Sequence, residues 1–267
     1  IFFKWFNDRN NTLLYSVHGP LITEINYNRS KKINHFFLNF IYKTVLKNTK
    51  KIIFNSFYTL KTSIEESNFL HSMNVSVTEL LIDEKNFLSN FYKIKKKFNK
   101  KEYHNGNFFI IPRRLVKRTG VKIFIKEIIN KKIYSKYRFF ISGEGDEENE
   151  IKNLCKNIKN IQFLGNIDQD LLTFLISISE GVIIPSIEAE GFCIVAKEAK
   201  LLNRFIFHTN QGGLRECLAG YKNQIIFDIN NINKSTFIKK TKKLNLNYTL
   251  LEKDLSFKNK LTRQMNQ

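Results

Sequence analysis

The sequence predicts an α/β protein whose strands run parallel in sheets covered by helices. Two observations carry this reading. From residue 107 onward, apolar runs of strand length alternate with amphipathic stretches of helical length. The strand runs are apolar at successive positions, so both of their faces are buried, as in a sheet covered on both sides.

In chain order, the first strand covers Leu13–Val17 and ends at His18-Gly19-Pro20. A helix follows, with Ile33, Phe36, Phe37, Phe40 and Ile41 at the i, i+3, i+4, i+7, i+8 spacing and Ser30 as its N-cap. Its other face carries Lys31, Lys32, Lys43 and Lys47. Such a stripe can lie on a membrane, but it more often packs on its own sheet, and that is the preferred reading. A second strand covers Lys51–Phe54, and the lysine-dense stretch Phe91–Lys101 reads as a linker. Beyond it come strands at Phe108–Ile111, Tyr137–Ser142, Ile161–Phe163, Gly181–Ile184 and Phe205–His208. Helices fill the gaps over Gly120–Lys132, Asp146–Asn157, from Asp168, and around Ile194–Leu202. The pattern divides the chain into residues 1–100 and 101–267, both Rossmann-like. In such sheets ligands sit at the carboxyl ends of the strands, in the loops that open the helices.

The bulk properties bound the function. With 42% hydrophobic and 13% aromatic residues the chain can bury a core, which excludes general disorder. No run is long and apolar enough for a membrane span. Cys155, Cys193 and Cys217 are far apart, which argues against a disulfide scaffold or zinc site and fits the cytoplasm. The net charge of +20 suits polyanionic partners. Lys, Asn, Ile and Phe are over-used together, however, and these share AT-rich codons, so coding bias takes the larger part of the charge.

Chemistry concentrates in Ile183–Ala199. A buried strand ends at Pro185-Ser186, a loop carries Glu190-Gly191-Phe192, and a helix begins near Cys193. The first N–H groups of that helix lack internal partners and, with the helix dipole, suit a diphosphate. On one helix Glu190 and Glu198 would stand about 12 Å apart. Placed before and within a helix, they can hold two parts of one extended ligand, and carboxylates accept well from vicinal sugar hydroxyls.

This stretch resembles the E-x7-E signature of retaining GT-B glycosyltransferases of family four, P-S-x-x-E-G-F-G-x-x-x-x-E-A, with one added residue before the first Glu. Asn210-Gln211-Gly212-Gly213-Leu214-Arg215-Glu216 resembles the family's V-G-G-L-P-E. Upstream, Pro112–Val116 is similar to the G-R-L-V turn, Ser142–Gly145 to the G-x-G turn, and Phe163–Asn166 to the F-L-G segment. Five elements agree in order and spacing across residues 107–220.

The resemblance implies a GT-B fold and transfer of a sugar from a nucleotide sugar to a glycan or lipid-linked acceptor, with retention. By analogy it points to surface polysaccharide or lipopolysaccharide synthesis, in the cytoplasm or at the inner face of the membrane. It implies that Glu198 holds the ribose, Glu190 the donor sugar, and the backbone of Gly191, Phe192, Cys193 and Ile194 the diphosphate. Arg114 falls on the phosphate-binding arginine. The family's lysine before the turn glycine is Thr119 here, so Lys117 or Arg118 must substitute. The second glycine of E-G-F-G is Cys193. His18 falls where relatives place a His facing the donor sugar. The family's opening strands and glycine-rich loop are not found, so an incomplete first domain is expected.

Three rivals remain. Asp168-Gln169-Asp170 matches the D-x-D of metal-dependent transferases, yet it stands at a helix start and reads as a cap, with no metal or other cofactor expected. A non-catalytic, degenerate GT-B scaffold binding an anionic partner is the alternative to the enzyme. Nucleic-acid binding rests on charge alone and is not expected.

Overall fold

The structure of the protein, a computed structural model, describes residues 14–17, 49–66, 74–78, 82–188, 190–233 and 236–237. His18 and the helix expected after Ser30 lie outside the described residues. The chain forms two compact units. One takes in residues up to Leu81 with Glu190–Phe192 and Gly212–Cys217, and the other holds the rest.

In the first unit, β1 (Leu14–Val17), β2 (Lys51–Phe54) and β3 (Val75–Val77) make a parallel sheet in that order. After β2 the chain turns at Asn55-Ser56 into α1 (Phe57–Glu66). Ser56 Oγ accepts from the backbone N–H of Thr59 at 3.0 Å, which satisfies one of the orphan donors of the first turn. Asn55, Ser56 and Thr59 are all buried there and bonded to one another.

The second unit opens with α2 (Glu84–Lys97), across much of the stretch that the sequence reads as a linker. Its lysine density conceals an apolar stripe of Leu88, Phe91 and Ile94, all buried, on the face that packs against α5 (Gln169–Ile178). Asp83 Oδ1 caps it by accepting from Asn86 N–H at 3.0 Å, and three lysines fill its last turn, where the dipole favours them. Phe98 and Tyr103 continue the packing on Phe174, with ring centroids 5.2 and 5.9 Å away. The second unit begins at Ile82.

Its sheet has six parallel strands: β4 (Phe109–Pro112), β5 (Phe139–Ser142), β6 (Ile161–Gly165), β7 (Gly181–Ile184), β8 (Ile206–His208) and β9 (Gln224–Ile226). They are ordered β6-β5-β4-β7-β8-β9, the Rossmann order 3-2-1-4-5-6. All side chains of β4, β5 and β7 are buried, as the uninterrupted apolar runs predict. Covering helices are α3 (Val121–Asn130), α4 (Glu148–Cys155), α5 and α6 (Ile194–Leu201), while the short α7 (Gly213–Cys217) belongs to the first unit. On α3 the buried Val121, Phe124, Ile125 and Ile128 follow helical spacing. Phe109, Phe139, Phe207 and Phe237 meet beneath it, each burial contributing roughly 1.5–3 kcal/mol.

Candidate functional site

The strand order reverses between β4 and β7, which lie side by side in the sheet. In open α/β sheets ligands bind outside the carboxyl ends of the strands at this switch point. Two loops emerge there. One runs from Arg113 to Gly120 after β4, and the other from Pro185 toward α6 after β7.

The β4 loop carries four cations, Arg113, Arg114, Lys117 and Arg118. Arg114 and Lys117 are exposed, and Arg118 is half-buried. Thr119, where the resemblance expects lysine, is 3% exposed, and its hydroxyl lies 2.7 Å from the carbonyls of both Arg114 and Val116. It braces the turn from within. Gly120 takes φ +68°, and a Cβ there would run into the Pro185 carbonyl, so the two loops close on each other only at glycine.

Arg113, which sequence reasoning passes over in favour of its neighbour, ties the loops together. It donates to Cys193 Sγ at 3.2 Å and to Ser186 Oγ at 3.4 Å. The thiol is 1% exposed, so Cys193 sends its side chain inward beneath the guanidinium. Cys193 is the N-cap residue of α6 but makes no side-chain capping bond. Ile194, the first residue of that helix, is 49% exposed. The structure thus brings a cationic loop and a helix N-terminus without a side-chain cap to the same switch point.

Glu198 sits on the second turn of α6. Its Oε1 accepts from Gln169 Nε2 at 3.1 Å, the first residue of α5. Burial pushes its carboxyl up to about 7, against the opposing pull of the Gln169 bond. The neighbouring Asp168 caps α5 by accepting from Leu171 N–H at 2.9 Å, as expected, and Asp170 pairs with Lys97 at 3.2 Å. Only the backbone-capping position of Asp168 was legible beforehand; Gln169 carried no signal of its own.

Glu190 is 7% exposed and belongs, with Gly191 and the half-buried Phe192, to the first unit, whereas Glu198 belongs to the second. The Glu190 carbonyl accepts from Gly213 N–H at 2.7 Å. A cavity of about 500 Å³ opens at the carboxyl ends of β7, β8 and β9, lined by Ser186, Thr209, Gln211 and Asp228 among others, and holds none of the residues expected to contact a ligand.

No curated protein matches the chain in sequence. Among solved structures, a glycosyltransferase from Rickettsia africae is similar at 20% identity and TM-score 0.58, over 81% of this chain and 57% of that one. Anabaena HepE, in complex with UDP and glucose, is similar at 17% identity and TM-score 0.60, over 87% and 63%. A sucrose-phosphate synthase from Thermosynechococcus elongatus gives 15% identity and TM-score 0.61, over 94% and 67%. The chain thus spans less than two thirds of the length of the first two. These likenesses carry the fold, which is the GT-B fold the sequence resemblance implies. The family model of glycosyl transferases group 1 matches residues 93–260, more than half of the 267, and the chain belongs to that family.

Proposed function

We propose that the protein transfers a sugar from a nucleotide-sugar donor to a glycan or lipid-linked acceptor, with retention at the anomeric carbon. The observation that carries this reading is the meeting, at the β4/β7 switch point, of the cationic loop 113–118 with the N-terminus of α6, one turn ahead of Glu198. A diphosphate needs positive charge and directed N–H donors, and a ribose needs a carboxylate that accepts from its hydroxyls. Each is present on elements of the same unit.

In this reading Glu198 accepts from the ribose hydroxyls. Arg114, with Lys117 or Arg118, neutralises the diphosphate, and its charge matters most as the leaving group departs. The backbone from Gly191 to Ile194 donates to the phosphates. Glu190, as the resemblance implies, holds hydroxyls of the donor sugar. Asp168 and Asp170 are committed to a helix cap and to Lys97, so no metal is assigned to them. Among the described residues no helix is long and apolar enough to cross a membrane. Surface polysaccharide or lipopolysaccharide synthesis, on the inner face of the membrane, is the setting proposed.

The test is a thermal-shift panel of nucleoside diphosphates and nucleotide sugars, beginning with UDP and UDP-glucose. A specific binder stabilises the native state by mass action. A rise in melting temperature for one base, lost in Glu198→Ala, supports the reading. No response to any member removes it. Nucleotide binding without transfer, unchanged by Glu190→Ala, selects the non-catalytic scaffold instead.

A further inference from the structure

The segment Gly212–Cys217 carries the Gly-Gly-Leu-Arg-Glu motif, which the proposed donor contacts do not use. Its bonds run within the first unit. Glu216 Oε2 accepts from Phe57 N–H at 2.7 Å, and Oε1 accepts from Tyr58 N–H at 2.6 Å. These N–H groups open α1 and have no acceptor within the helix. A carboxylate there also meets the positive end of the helix dipole.

Three residues earlier, Gly213 N–H donates to the Glu190 carbonyl at 2.7 Å. A Cβ at position 213 would run into the Gly191 carbonyl, so the two backbones meet this closely only with glycine. From the other side Thr59 Oγ1, on the first turn of α1, lies 3.4 Å from the Gly191 carbonyl oxygen. Glu190-Gly191 is therefore gripped by the Gly213 turn and by α1, and Glu216 locks these two grips to each other.

We propose that Glu216 is a positioning residue: its carboxylate clamps α1 to the Gly213 turn and thereby fixes where the Glu190 carboxylate stands. This rests on the reading of Glu190 as the donor-sugar contact. Glu216→Gln keeps the size of the side chain but removes its charge and turns one acceptor into a donor facing an N–H group.

Two measurements on the full chain test the clamp. In the first, amide exchange is followed by mass spectrometry without nucleotide. Glu216→Gln is expected to speed exchange both at residues 57–60 and at residues 190–192. Faster exchange at 57–60 alone, or at neither, overturns the clamp. In the second, UDP and UDP-glucose are titrated into the parent, Glu190→Gln, Glu216→Gln and the double variant. Glu216→Gln is expected to weaken UDP-glucose roughly tenfold while changing UDP less than about twofold, and to add nothing in the Glu190→Gln background. Losses that multiply in the double variant, or equal losses for both nucleotides, overturn it. Equal UDP-glucose affinity of the parent and Glu190→Gln instead overturns the reading of Glu190, and leaves the exchange result to decide the clamp. Where Glu216→Gln does not fold, Glu216→Asp keeps the charge at a shorter reach and is expected to move the same readouts in the same direction.

Discussion

Gln169 Nε2 donates to Glu198 Oε1 across 3.1 Å, joining the first residue of α5 to the second turn of α6. Burial pushes the Glu198 carboxyl up to about 7, and the Gln169 bond opposes it. The ionised form is the one that accepts two vicinal hydroxyls. Nucleoside diphosphate affinity is therefore expected to rise as pH is raised from about 6 to about 8. Calorimetry across that range checks it, and the rise should vanish in Glu198→Gln. A pH-independent affinity in the parent would take Glu198 out of the site.

For stability the same group acts with opposite sign. Its folded-state value lies above the ordinary 4.5, so between about 4.5 and about 7 the folded protein keeps a proton that the unfolded chain has lost. Stability falls as pH rises through that window. Glu198→Gln is expected to raise the melting temperature at about pH 8 and to leave it nearly unchanged at about pH 4. An equal gain at both values would point to packing, not charge.

The adjacent arginines should separate cleanly. Arg113 donates to Cys193 Sγ and Ser186 Oγ, and Arg113→Ala is expected to cost about 1–3 kcal/mol in denaturant unfolding. Arg114 is exposed, and Arg114→Ala should cost less than about 0.5 kcal/mol while lowering turnover more than donor binding. A rise in KM with normal turnover would assign Arg114 to ground-state binding only.

Gly120→Ala should be among the more damaging single substitutions in the second unit. The left-handed backbone and the Pro185 carbonyl both oppose a Cβ, and backbone strain alone costs roughly 1–3 kcal/mol. Thermal unfolding checks it. A variant as stable as the parent would show that the β4 and β7 loops can part without loss.

The sheet of the second unit was legible because strands buried on both faces leave unbroken apolar runs, and β7 was placed to the residue. Strand β9 was not, since Gln224 and Ile226 of its three residues remain partly or well exposed. Helix α2 was hidden by its lysines: spacing marks Leu88, Phe91 and Ile94, but composition reads louder than spacing in a short window. Around the candidate site, the helix start at Cys193 and the place of Glu198 within that helix followed from the motif. Arg113 and Gln169 did not, because each is defined by partners 80 and 29 residues away, and no local pattern reports a long-range bond.

The bond from Glu216 to the start of α1 joins residues 159 positions apart. Its acceptor is therefore made long after its donors. At ribosomal speeds of roughly 5–20 residues per second, α1 waits on the order of ten seconds for the side chain that completes its first turn. The Glu190 segment that shares its unit is also made late. The unit that holds the amino-terminal sheet therefore receives its last partners only once Cys217 has been made.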